Sequence, residues 1–214
     1  MGRVARVVVE GVTKTFGAVV ALRGVDVQFE AGTVTLLEGG NGAGKSTLMG
    51  IVGGVVRPSL GEVRFQDAGG QPVEAGIAWV AHETLCYPEL SVRKNVELAA
   101  ELAGEDAGAA WAAAEARFQL GSFAERRVRV CSRGQRQRAA LARALVGETD
   151  IVLLDEPTAG LDKAGVARLQ DVVREEGARG AVVLVISHEA AVWDGVATRR
   201  VRLERGRIVE GAAA

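Results

Sequence analysis

The stretch GGNGAGKST, Gly39–Thr47, decides how the rest of the chain is read. An apolar run, Thr33–Leu37, leads into it, and an apolar segment, Lys45–Gly53, leads out and is closed by Gly53-Gly54 with Pro58 beyond. That order reads as a buried strand, a glycine loop and a helix. Each residue type in the loop has a physical use. Glycines at 39, 40, 42 and 44 let the backbone take positive φ and come close to a ligand. Successive N–H groups, those of Asn41 and Ala43 among them, then point at an anion held at the helix N-terminus. Lys45 places a charge on the outer phosphates, and Ser46, followed by Thr47, offers a hard hydroxyl oxygen for Mg²⁺. The spacing Gly39-x-x-x-x-Gly44-Lys45-Ser46 is that of a phosphate loop.

A phosphate loop needs a carboxylate partner at the end of a neighbouring strand. IVLLDE, Ile151–Glu156, supplies one. Asp155 can hold Mg²⁺ through its water shell, and Glu156 beside it can act as general base for an attacking water. A second anion site lies in VCSRGQRQRAALARAL, Val130–Leu145. Ser132 can cap a helix there, leaving the N–H groups of Arg133 and Gly134 free.

The bulk properties narrow the partners. A net charge of −1 over 214 residues carries no basic excess, so no direct nucleic-acid partner is expected. Cys86 and Cys131 match no metal spacing, and a chain of this size needs no disulfide staple. The N-terminal apolar run stops at Glu10, too early for a signal-peptide core. AVVLVI, Ala181–Ile186, falls far short of the roughly 18 residues that span a bilayer.

Further strands are expected at Arg6–Val12, Val19–Phe29, Gly61–Phe65 and Ile77–Val80. Helices follow at Val92–Leu102, capped by Ser91, and at about Ala109–Leu120. Ile151–Leu154 and Ala181–Ile186, with helix Lys163–Glu176 between them, read as a βαβ crossover. Thr198–Glu204 and Arg207–Glu210 read as a hairpin. Trp79, Trp111 and Trp193 are expected to be packing residues, and Cys131 a small buried hydrophobe.

Taken in order, these motifs resemble the ATP-binding cassette (ABC) ATPases, the motor subunits of ABC transporters, over nearly the whole chain. CSRGQ, Cys131–Gln135, stands where that family has its LSGGQ signature, and LLDEP, Leu153–Pro157, is its magnesium and base strand. AGLD, Ala159–Asp162, occupies the place of the dimer-contact loop, and ISHE, Ile186–Glu189, carries the switch histidine His188. FGAVVAL, Phe16–Leu22, puts Phe16 where the family has an aromatic that stacks on adenine.

The resemblance implies an α/β P-loop NTPase fold of the ABC ATPase type, with an antiparallel β subdomain and an inserted helical subdomain. It implies one domain, with core residues 1–80 and 150–214 and a helical part near 91–145. ATP and Mg²⁺ are the implied ligands, and Glu156 and His188 the implied catalytic groups. Two such domains, identical or different, would close head to tail, with Ser132 and Gly134 of one completing the ATP site of the other. Integral membrane permease subunits are the implied partners, which places the chain peripherally at the cytoplasmic face of the inner membrane.

The departures carry information too. Cys131 and Arg133 replace Leu and Gly of the signature, and Phe16 replaces the commoner Tyr. His82 stands where most members have a Gln that touches Mg²⁺ and the attacking water. A neutral imidazole can accept one hydrogen bond or ligate a metal, so His82 joins both the catalytic and the metal candidates. If it acts neutral, turnover should fall as pH drops through roughly 6.5, with His82→Gln removing that limb. His82, the compact length and the SRGQ signature are also similar to the heme-exporter ATPases of cytochrome c maturation. The same features occur among ATPases of other small-molecule exporters, and a non-transport ABC ATPase is the alternative from a different class.

Overall fold

The computed structural model describes residues 3–81 and 85–209. Two sheets organise it. Strands β1 (Arg6–Phe16), β2 (Val19–Glu30) and β4 (Leu60–Gln66) form an antiparallel sheet in the order β2-β1-β4. Strands β3 (Val34–Glu38), β5 (Ile77–Val80), β6 (Ile151–Asp155), β7 (Val182–Ile186), β8 (Arg199–Glu204) and β9 (Arg207–Val209) form the second sheet, ordered β5-β6-β7-β3-β8-β9. It is parallel except for the terminal β8–β9 hairpin. The α-helices are α1 (Lys45–Val52), α2 (Val92–Ala103), α3 (Ala107–Phe118), α4 (Arg133–Ala144) and α5 (Lys163–Ala178).

The continuous apolar strands are explained by two cores. Side chains alternate across a strand, and here both faces are covered. Leu36, Val152, Leu154, Val183 and Val185 join one core with α5 and with residues of α2–α4. Their neighbours Leu37, Ile151, Leu153, Val182, Leu184 and Ile186 join the other, with α1 and the antiparallel sheet. A parallel sheet buried in this way has no polar face to display, so its strands read as unbroken Val/Leu/Ile runs.

The expected bounds move most at two elements. The first strand runs to Phe16 rather than stopping at Val12, because a register irregularity at Gly11 absorbs the break. Gly11 takes φ 58° and its N–H donates to Asp26 Oδ1 at 2.7 Å, so the ladder bends and continues. The second helix spans Ala107–Phe118, two residues earlier than read at each end. Asp106 caps it by accepting from Ala109 N at 2.7 Å, and Gln119 leaves it at φ 51°. The apolar Leu120 that suggested a longer helix is buried past the helix end.

The remaining helix starts follow the sequence closely. Ser91 accepts from Lys94 N at 3.1 Å and caps α2. α2, α3 and α4 pack on one another, and α3 also touches α5. Arg117 on α3 reaches the fully buried Glu176 of α5 at 2.6 Å, and Arg179 holds the other oxygen of that carboxylate. No helix of the described residues is long and apolar enough to cross a membrane.

Candidate functional site

β3 delivers the chain to the glycine loop, and the loop is pressed against β8. Gly39 takes φ 142°, and a Cβ there would stand 2.2 Å from the carbonyl oxygen of Leu203. Only glycine fits. Gly44 begins α1 with no capping side chain, so the N–H groups of the first turn remain available to an anion. The Lys45 ammonium bends back across the loop, donating to the carbonyls of Gly39 at 2.7 Å and Gly40 at 3.1 Å. It is 8 % exposed, and among the described residues no carboxylate pairs with it. A buried cation without a counter-charge is costly, and a phosphate would supply that charge.

The loop has a prop that its own sequence does not reveal. The β8–β9 turn consists of Arg205 at φ 48° and Gly206 at φ 78°, both in the left-handed region that a two-residue hairpin needs. Gly206 N donates to Ala43 O at 3.0 Å, and Gly206 O accepts from Arg23 N at 2.8 Å. A Cβ on Gly206 would meet Ala21 O at 2.6 Å. The turn is therefore locked between the phosphate loop and β2.

Asp155 ends β6, and Glu156 follows in an uncommon conformation for a non-glycine residue, φ 51°. Its N–H donates to Ile186 O at 2.9 Å, which ties it to the end of β7. Its carboxylate accepts from the His188 backbone N–H at 3.2 Å, and its Oε1 lies 3.5 Å from His188 Nε2. Among the described residues no donor satisfies Oε1. A strained backbone that presents a shielded, under-bonded carboxylate oxygen to a cleft is the kind of arrangement found at functional sites.

These pieces share one cleft of ≈460 Å³. Phe16, Asn41, Gly42, Ala43, Gly44, Lys45, Ser46, Thr47, Asp155, Glu156 and His188 line it. Gly39 and Gly40 sit behind, holding Lys45. Phe16 is 51 % exposed at its rim, with the Lys14 ammonium 4.8 Å from the ring centroid. Ser46 and Asp155 offer oxygen donors only, which suits Mg²⁺. Two protein oxygens leave most of its shell to phosphate and water, as this ion prefers.

Ser132 and Gly134 lie elsewhere. They line a second cleft of ≈350 Å³ with Arg133, Gln135, Arg138 and the Gly160–Asp162 loop. The two clefts have no lining residue in common. Ser132 forms a capping box: its Oγ accepts from Gln135 N at 3.2 Å, and Gln135 Oε1 accepts from Ser132 N at 3.0 Å. Arg133 and Gly134 are the first two residues of the helix, whose N–H groups have no partner within it. Gly134 also has an internal reason to be glycine, since a Cβ would stand 2.5 Å from Gly160 O. Ser132→Ala should cost about 1 kcal/mol of stability without nucleotide, read as a lower urea midpoint; an unchanged midpoint would show the box to be redundant.

His82 lies outside the described residues, as does Glu83. Cys131 is buried, and burial raises its thiol pKa. Burial likewise pushes Cys86 up to about 11. With its thiol near 11, Cys86 should react with iodoacetamide at pH 7.5 at least about tenfold slower in the native protein than in denaturant. Equal rates would contradict this protection. Trp193 and Trp111 are buried in the core as expected, and the Trp79 ring packs on Gly53 of the α1 terminus.

A glycine cradle around a buried lysine, facing two strand-end acids, defines a P-loop nucleotide-binding protein. The ABC transporter family profile matches residues 22–159, well over half of the chain, and the chain belongs to that family. It is 38 % identical over 212 residues to the molybdenum import ATP-binding protein ModC of Mycobacterium tuberculosis, covering 90 % of this chain. The chain spans 58 % of that relative's length. It is 36 % identical over 181 residues to the cytochrome c biogenesis ATP-binding export protein CcmA of Gluconobacter oxydans, covering 84 % of this chain and 80 % of that protein. The fold superposes on a dimeric, post-hydrolysis ATP-binding cassette, MJ0796 bound to ADP and Pi, with TM-score 0.85 and 26 % identity over 97 % of this chain and 98 % of that one.

Proposed function

We propose that this chain is the ATP-hydrolysing motor of an ABC transporter, working as one half of a head-to-tail dimer on separate integral membrane permease subunits at the cytoplasmic face of the cell membrane. The observation that carries this reading is the separation of the two clefts. Each is built at the start of a helix, α1 with no side-chain cap and α4 with the Ser132 box, and within one chain they have no lining residue in common. A second copy, the same or a related chain, would bring its Ser132 and Gly134 to the phosphates held by Gly39–Thr47. The similarity to a dimeric cassette supports it. The division into a core of 1–80 and 150–214 and a helical part near 91–145 belongs to the same proposal.

In this mechanism Phe16 stacks the base, and the loop N–H groups and Lys45 hold the phosphates. Ser46 and Asp155 would hold Mg²⁺, which would supply positive charge to offset that of the phosphate oxygens. Glu156 Oε1 takes a proton from water as the water oxygen bonds to the γ-phosphorus and the bond to the ADP oxygen breaks. His188, beside Glu156, orients the carboxylate through its backbone N–H. His82 is proposed to join this site from the adjoining segment.

For cargo we favour export, and heme export for cytochrome c biogenesis in particular. The support is the likeness to CcmA, together with His82 and the SRGQ signature. The identity to ModC favours a second reading, import of molybdenum. A tagged Glu156→Gln chain, held closed by ATP, would be recovered from native membranes with its companions. A stoichiometric polytopic membrane protein with heme-handling companions is the expected result. Companions of a molybdenum importer would move the cargo, and soluble proteins or nucleic acid alone would overturn the transport reading.

A further inference from the structure

Gln137 is a polar side chain on the buried face of α4, among Ala139, Ala140, Leu141 and Ala142. It is 6 % exposed, and its Nε2 donates to the Pro157 carbonyl at 3.0 Å in a fully buried bond. Pro157 directly follows Glu156. It has no N–H of its own to anchor the peptide. The loop beyond it is held by local bonds, Ala159 N to Glu156 O at 3.2 Å and Leu161 N to Thr158 O at 3.0 Å. Gln137 adds a tie from outside that loop.

The placement has a second component. Gln137 lies three residues beyond Gly134, on the same helix face. Gly134 abuts the Gly160 carbonyl so closely that no side chain fits between. One stripe of α4 thus grips both ends of Pro157–Gly160. On the other side, Glu156 N is tied to Ile186 O at 2.9 Å. The left-handed turn at Glu156 is clamped from both flanks, and such a turn persists only where its surroundings over-determine it.

We infer that Gln137 is a positioning residue for Glu156: its amide fixes the peptide after the carboxylate and so keeps that carboxylate aimed into the nucleotide cleft. This rests on the reading of Glu156 as general base. Gln137 itself does not line the nucleotide cleft.

The test measures Mg-ATP turnover and KM in the full chain for Gln137→Met, Glu156→Gln and the double variant. Methionine keeps the length and removes the donor. A misaimed base should lower kcat about 10- to 100-fold with KM for ATP within about twofold. Because Gln137 acts through Glu156, the double variant should be no slower than Glu156→Gln alone in single-turnover assays. If Glu156→Gln is slow while Gln137→Met keeps the wild-type kcat, or if the two losses multiply, the inference is wrong and the base assignment survives. If Glu156→Gln turns over like wild type, the base assignment falls and the inference falls with it. Should the methionine variant fail to fold, Gln137→Glu carries the same comparison, since it keeps the shape and turns the donor into an acceptor.

Discussion

Glu156→Gln is expected to cut ATP turnover by about 100- to 10,000-fold while ATP-dependent dimerisation persists. The substitution preserves volume, and the amide oxygen can still accept from the His188 N–H that the carboxylate takes at 3.2 Å. What disappears is the basic oxygen near His188 Nε2. Phosphate binding depends on other groups, the loop N–H donors and Lys45, and these do not touch Glu156. Phosphate release and light scattering with and without ATP would be measured on the same sample. Turnover at the wild-type rate would remove Glu156 from the role of base. Loss of both turnover and dimerisation would show that the carboxylate charge is needed for closure as well as for proton transfer.

The second large effect concerns stability. Glu176 has no exposed surface, and it is paired with Arg117 of α3 and Arg179 at the end of α5. Arg117 also contacts Glu175 at 3.3 Å, on the solvent side. Glu176→Ala removes the acid and leaves the largely covered Arg117 guanidinium without its buried partner. Breaking one side of a buried pair costs about 3–5 kcal/mol. The urea midpoint should fall accordingly, and the joint between α3 and α5 should loosen first, as faster amide exchange in α3. Glu176→Leu combined with Arg117→Met should recover much of the loss, because an apolar pair of similar volume needs no compensation. A Glu176→Ala midpoint within about 0.5 kcal/mol of wild type would mean that Glu175 takes over the arginine.

The parts of this architecture that were legible in the sequence are those set by local chemistry. The spacing from Gly39 to Ser46 marks a loop-to-helix turn by residue type alone, so it could be read directly. Ser91 and Ser132 announce helix starts because a hydroxyl before a helical pattern has few other uses. Ile151–Leu154 and Val182–Ile186 announce burial on both faces because nothing polar interrupts them. The rest depends on contacts between distant segments. The local pattern supports a strand only to Val12, because the bulge at Gly11 that carries the ladder on to Phe16 shows itself only against the partner strand. Glu156 was read as a base from its neighbours, but its left-handed conformation follows from Ile186 on one side and Gln137 on the other. Nothing in the local sequence of α4 sets Gln137 apart. Its meaning lies in a carbonyl 20 residues away.

A two-residue hairpin near the end of a chain is ordinarily the place where an engineer would splice in an epitope or a sensor, because such tips tolerate insertion. The Arg205-Gly206 turn does not qualify. Its glycine is buried, bonded to Ala43 and Arg23, and leaves no room for one carbon. A longer turn would cost the protein its grip on nucleotide before it cost the fold, since β8 pairs with β3 independently of the tip. For tolerance to insertion, this surface loop counts as interior.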